Sequence, residues 1–186
     1  MSETVPLDGR TLILGPSGVG KTRRTARALG SWLDEHGSEG VVVFEFAPEL
    51  ERDGEILGGR LTRFRSIPDD VWYGKIDAHA PRAESGDEGG AVALAERNAQ
   101  HAAAVIAAAP SDPRAVFVND ATIPFQHGSL PAERLLDYCE NATCVVCNAF
   151  DSDELGTDDP VSRQERHALS QLSDWAGRVV RLEKDE

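Results

Sequence analysis

Residues 12–22 read Leu12-Ile13-Leu14-Gly15-Pro16-Ser17-Gly18-Val19-Gly20-Lys21-Thr22, an apolar run that breaks into glycines and ends on a lysine and a hydroxyl. From Gly15 onward they satisfy G-x-x-x-x-G-K-[ST] at every fixed position. Average residue usage produces such a match by chance in roughly one chain in a hundred of this length, so the flanks decide its meaning. An apolar strand pattern precedes it. A helical pattern over Lys21 to His36 follows, with Ala26, Leu29 and Leu33 on one face and Gly37 as the stop. Strand, glycine loop and helix together are the arrangement of a phosphate-binding loop. Gly15, Gly18 and Gly20 allow the backbone to turn N–H groups inward around an anion. The helix start adds its positive dipole end. Lys21 is expected at the β- and γ-phosphates and Thr22 on Mg2+. Pro16, Ser17 and Val19 complete the expected nucleotide contacts, and Arg23 joins them as an alternative to plain solvated helix surface.

Four further apolar runs lie outside this loop: Val41 to Phe46, Ala115 to Val118, Thr143 to Cys147 and Arg178 to Leu182. The first four runs of the chain are nearly continuous rather than alternating, as in strands buried on both faces of a parallel sheet. Helical patterns fill the gaps. Gly90 to Ala109 is alanine-rich and stops at Pro110. Pro131 to Glu140 starts on a proline. Pro160 to Ala176 has Asp159 as its expected N-cap. The alternation predicts a single α/β domain over 1–186, a three-layer P-loop NTPase (RecA-like) fold with a mostly parallel sheet of five or six strands flanked by helices. An irregular insertion is expected at about 48–90, with a short strand near Val71-Trp72-Tyr73; it is too long for an ordinary loop. The acidic, glycine-bearing stretch Asp151 to Asp159 reads as a solvated loop.

Composition limits the function classes. The chain has 186 residues, 40% of them hydrophobic, enough for a core of its own. Its longest apolar run, Ala102 to Ala109, is far short of a membrane span. Met1-Ser2-Glu3-Thr4 does not open a signal peptide, and three cysteines do not make a disulfide framework. A cytoplasmic protein is the expectation. Its net charge of −13 argues against nucleic acid and anionic membrane as partners, with room left for a local basic patch. Only three of its 19 basic residues are lysines, which suits either a salt-rich cytoplasm or a GC-rich genome.

A magnesium site also needs a carboxylate at the end of a neighbouring strand. In Ala115-Val116-Phe117-Val118-Asn119-Asp120 the polar groups emerge at the carboxyl edge, where ligands bind in open α/β sheets. Asp120 is the candidate metal partner and catalytic group. Asn119 can act through a water ligand but adds no charge. Glu45, a charge inside an apolar strand, is the second catalytic candidate, orienting an attacking water or binding a nucleobase-side group, with a strand-end salt bridge as the alternative. Cys144 and Cys147 have C-x-x-C spacing, but alternation along a strand sends them to opposite faces, so they are not expected to share zinc. Among the histidines only His127, beyond the third strand, lies near the expected nucleotide edge.

The stretch from Val118 through Phe125-Gln126-His127-Gly128 to Leu136 resembles the ATP:corrinoid (cob(I)alamin) adenosyltransferases. The layout is also similar elsewhere: Val43-Phe44-Glu45-Phe46 at the end of the second strand, an alanine-rich helix before the acidic strand, and Leu172-Ser173-Asp174-Trp175-Ala176-Gly177 leading into Val179 to Leu182. The likeness in order and spacing covers about four-fifths of the chain. It implies the same P-loop fold, ATP and Mg2+ as cofactors, and a corrinoid as second substrate. The departures fall on the motifs. Asn119 and Asp120 stand where the family has aspartate and glutamate, Cys147-Asn148-Ala149 replaces threonine-glycine-arginine, and Val19 replaces a lysine.

The leading expectation is an ATP-binding NTPase that uses magnesium and couples nucleotide binding or slow hydrolysis to a second substrate or protein partner, with a homodimer among the candidate assemblies. Adenosyl transfer to cob(I)alamin is the first alternative. A sensor or assembly protein that binds nucleotide without turnover is the second, motivated by Asn119. A GTPase is not expected, because no Asn-Lys-x-Asp motif is present.

Overall fold

The chain forms strands β1 (Gly9–Gly15), β2 (Val41–Glu45), β3 (Glu49–Arg52), β4 (Glu55–Gly58), β5 (Trp72–Lys75), β6 (Ala115–Asn119), β7 (Cys144–Phe150) and β8 (Arg178–Arg181). Its helices are α1 (Lys21–His36), α2 (Pro81–Glu84), α3 (Glu88–Ala108), α4 (Glu133–Cys139) and α5 (Pro160–Trp175). These come from a computed structural model, which describes residues 4–184 apart from the side chains at 52 and 55–58. Met1, Ser2 and Glu3, read above for the absence of a leader, lie outside the described residues.

Six strands form one sheet in the order β5-β2-β6-β7-β1-β8, and every neighbouring pair is parallel. Without its edge strand β5, the sheet has the RecA-like arrangement. The first strand is flanked by the last two core strands, and the chain crosses over β7 and β6 to reach β2. The continuous apolar runs are explained by burial on both sides. Leu12, Leu14, Phe44, Val116, Val118, Val145 and Cys147 face α3, α4 and α5. Ile13, Val41, Val43, Phe117, Cys144 and Val146 face α1, through Ala26, Leu29 and Trp32. The result is a three-layer α/β domain. Strand β8, at the edge, instead alternates in exposure. Cys144 and Cys147 lie in the cores on opposite faces of the sheet.

Local signals set the helix ends. Asp159 caps α5, accepting from the Ser162 N–H at 2.9 Å, and Asp87 caps α3 through the Gly90 N–H at 2.6 Å. The longer insertion is more regular than expected. It holds the antiparallel β3–β4 hairpin, a 3-10 turn at Leu61–Arg63, strand β5 and the short helix α2. No helix among the described residues is long and apolar enough to cross a membrane.

The turn from β1 into α1 depends on glycine geometry. Gly15 has φ +155°, and a Cβ there would sit 2.4 Å from the Leu182 carbonyl oxygen, a backbone atom of the segment following β8. Gly20, the residue before α1, has φ +92°. Gly15→Ala is therefore expected to cost about 2 kcal/mol or more, read as a lower urea midpoint at unchanged m-value.

Candidate functional site

The sheet register brings three polar side chains level at the carboxyl edge. Glu45 of β2 pairs with Asn119 of β6. Val118 pairs with Cys147, so Asn148 of β7 lies beside Asn119. The three are joined by hydrogen bonds. Asn119 Nδ2 donates to Glu45 Oε1 at 2.7 Å and to the Gly59 carbonyl at 2.8 Å. Asn119 Oδ1 accepts from Asn148 Nδ2 at 2.9 Å and from Thr22 Oγ1 at 3.2 Å. Asn148 also donates to Thr25 Oγ1, and its Oδ1 accepts from the Asp120 N–H. The first turn of α1 is thereby tied to the ends of β2, β6 and β7.

Glu45 is fully buried. Its Oε2 accepts from the Leu61 N–H at 2.7 Å, and its Oε1 accepts from Ala47 as well as Asn119. Burial raises its pKa to about 7 against these donors. Both oxygens are thus engaged by the protein, and Glu45 forms part of the wall behind the site rather than its lining.

In front of this wall lies a cleft of about 580 Å³. It is lined by residues 17–23, by Ala47, Asp120, Asn148, Phe150 and Lys184, and by Gly59, Arg63 and Phe64 of the insertion. Lys21 Nζ donates to the Pro16 carbonyl at 2.5 Å. Its pKa is lowered by burial, with Asp120, Glu154 and Asp151 acting against that shift. The Ser17 N–H donates to Glu154 Oε1 at 3.0 Å, and Lys184 Nζ reaches Glu154 Oε2 at 3.1 Å. Glu154 has its pKa lowered, chiefly by that Ser17 bond. Arg23 lines the cleft mouth, its guanidinium 5.4 Å from the Phe64 ring centre.

Asp120 follows β6 with φ +59°, a left-handed conformation that aspartate tolerates better than most residues. Its Oδ1 is buried with no hydrogen-bond partner among the described residues. Burial raises its pKa to about 7. Glu165 reinforces the shift, and Lys21 and Arg82 oppose it. Behind it is a buried ion pair. Arg82 of α2 meets Glu165 of α5 at 2.7 Å and also donates to Ser162. Glu165 takes a further bond from Gln126 Nε2 at 2.6 Å. Near the predicted nucleotide edge, His127 bonds locally to Ser129 at 2.8 Å.

Of the residues the sequence pointed to, 17–23 and Asp120 line this cleft, and Gly15, Pro16, Asn119 and Glu45 are not among its lining residues. The sequence reading missed Asn148, Glu154, Lys184 and the Arg82–Glu165 pair. Asn148 had a visible signal, a polar residue closing an apolar strand. Glu154 was hidden in an acidic loop that reads as solvent-facing, and nothing in the sequence links positions 82 and 165. No family model and no curated protein matches the chain. Among solved structures it is similar to Pif1 helicase from Candida albicans, with a TM-score of 0.38 and 11% identity over 96% of this chain. The chain spans 37% of that helicase chain.

Two expectations follow for the strand ends. Asn119→Asp removes the donor to Glu45 and sets a second carboxylate against it. It should destabilise the fold by about 3 kcal/mol at pH 8, and by less at pH 6, where Glu45 takes a proton; urea unfolding at the two pH values checks this. Asp120 has the opposite logic from a salt-bridged carboxylate. Its raised pKa makes no difference to stability below the ordinary aspartate range, then costs stability as pH rises to about 7, and stays constant above. Asp120→Asn should remove that part of the loss, measured as a flatter dependence of melting temperature on pH between 4 and 7.

Proposed function

We propose that the domain binds ATP with Mg2+ and couples binding, or slow hydrolysis, to a second substrate or protein partner at the insertion end of the cleft. The observation that supports this most is Glu154 on the Ser17 N–H at 3.0 Å, beside Lys21. The glycine loop already receives an anionic oxygen from the protein's own chain. A phosphate oxygen is the same kind of acceptor with more charge, and Gly18 and Gly20, both at positive φ, give the loop its cradle shape. On this reading the nucleotide displaces Glu154, and Lys21 leaves the Pro16 carbonyl for the phosphates.

The residues present fit a magnesium ion. Asp120 Oδ1 is a buried carboxylate oxygen in want of a partner, and the Thr22 hydroxyl lies at the first turn of α1. Thr22 and Asp120 would hold the ion, and Asn119, whose amide is already engaged by Glu45, Thr22 and Asn148, would act at most through water. When bound, the ion would supply charge neutralisation across the phosphate oxygens.

The engagement of Glu45 favours a second reading, a nucleotide sensor with little turnover. With both Glu45 oxygens occupied, Asp120 is the carboxylate that faces the cleft. Calorimetric titration with MgATP tests the proposal. Lys21→Ala should weaken binding at least tenfold, since charge-assisted bonds are worth about 1.5–3 kcal/mol each. Glu154→Ala should tighten it about fivefold by emptying the loop. Unchanged affinity in Lys21→Ala would overturn the proposal. Phosphate release by the wild type separates hydrolysis from sensing, and triphosphate release that requires a reduced corrinoid would point to adenosyl transfer instead.

A further inference from the structure

The outer face of α1 carries a second feature, which adjoins the cleft proposed for the nucleotide and shares Arg23, Arg63 and Phe64 with it. Three hollows adjoin along it. The main cleft shares Arg23 and Phe64 with a hollow of about 280 Å³, which in turn shares Arg27 and Arg65 with one of about 380 Å³ that reaches Asp34. At 1.5 Å per residue, the path from Arg23 to Asp34 is about 16 Å long. It is lined by Arg23, Arg24, Arg27, Arg63 and Arg65, and beyond the main cleft its one acidic lining residue is Asp34, which pairs with Arg65 at 3.6 Å. Arg23, Arg24 and Arg63 have no ion pair among the described residues. At the Arg23 end, where the main cleft meets the next hollow, stands Phe64, 43% exposed, with Arg23 and Arg63 guanidinium carbons 5.4 and 6.0 Å from its ring centre.

Such a concentration of arginine in a chain of net charge −13 suits an anionic occupant. The acidic residues elsewhere do not cancel it, because charges beyond about 8–10 Å are screened at physiological salt. A compact phosphorylated metabolite would fill one hollow and leave the others unused. An extended polyanion fits all three. An exposed aromatic ring between arginines offers a stacking face for an unpaired base, which a duplex keeps inside its own stack. We propose that the Arg23–Arg24–Arg63–Phe64 trough along α1 binds single-stranded nucleic acid without strong sequence preference. The phosphates lie along the arginines, and a base stacks at Phe64. Net charge, which argued against nucleic acid for the chain as a whole, is overruled here by local arrangement.

The test uses the nucleotide-free full chain, so that its outcome does not depend on the ATP reading. Fluorescence anisotropy follows a labelled oligothymidylate of about a dozen nucleotides. Binding is expected at low salt, with log K falling against log salt at a slope of about −2 for three neutralised phosphates. Phe64→Ala should weaken it about tenfold or more. Arg24→Glu with Arg63→Glu should weaken it further and flatten the salt slope; Arg63 is exposed and Arg24 half-buried, and an unchanged melting temperature confirms folding. A duplex of equal length should bind less tightly, and so should polyglutamate. Absence of binding at low salt overturns the proposal. So does wild-type affinity in Phe64→Ala, or equally tight binding of the duplex. Polyglutamate binding as tightly as the oligonucleotide would make the trough a docking face for an acidic protein segment instead.

Discussion

A buried carboxylate needs donors, and in this domain that need organises the carboxyl edge of the sheet. Glu45 has no access to water, so its oxygens must be supplied from the protein. Asn119 supplies one bond from β6, and the backbone of Leu61 and Ala47 supplies others from the segment that follows β2. The same Asn119 amide accepts on its other side from Thr22 and Asn148, so a single planar group connects the insertion to the start of α1. An aspartate at 119 would accept where it must donate. The amide that reads in the sequence as a degraded metal ligand is, in the folded chain, the residue whose hydrogen-bond polarity suits its neighbours.

The second organising element is the Arg82–Glu165 pair, which joins the short α2 of the insertion to α5. Buried ion pairs of this kind are weak contributors to net stability and strong constraints on geometry. Here the pair modulates the field around Asp120, whose burial is the larger influence. Glu165 disfavours a second negative charge, and Arg82 and Lys21 partly offset it. Burial, reinforced by Glu165, therefore places Asp120 near the point where its charge changes at neutral pH, with one carboxylate oxygen left without a partner among the described residues.

The layers of the fold were legible in the sequence because burial on both faces writes itself as continuous apolar runs, and because Lys21 to His36 carries its helix signals openly. The observed bounds of α1 coincide with those read from pattern alone. The glycine loop was legible for the same reason, since its spacing records a backbone shape. What could not be read were contacts made by register and crossover. Asn148 meets Asn119 only because β7 lies beside β6, and Glu154 meets Ser17 only because the loop after β7 folds over the β1 turn. The arginines of the α1 trough were visible one by one, but their convergence with Arg63 and Phe64 depends on how the insertion returns across the helix. Average charge concealed it.

The close approach of the Leu182 carbonyl to Gly15 has a consequence for biogenesis. Strand β8 pairs with β1 in a register that sets Arg178 opposite Thr11, 167 positions away. The glycine turn sits against that late-made segment, and Lys184 from it holds Glu154. During synthesis, β1 and α1 exist long before the residues that press on their junction. Closing so distant a pair is the kind of step that slows folding. A nascent chain therefore carries the glycine loop with its supporting wall missing, and the cleft takes its final shape only after residues 178–184 have left the ribosome.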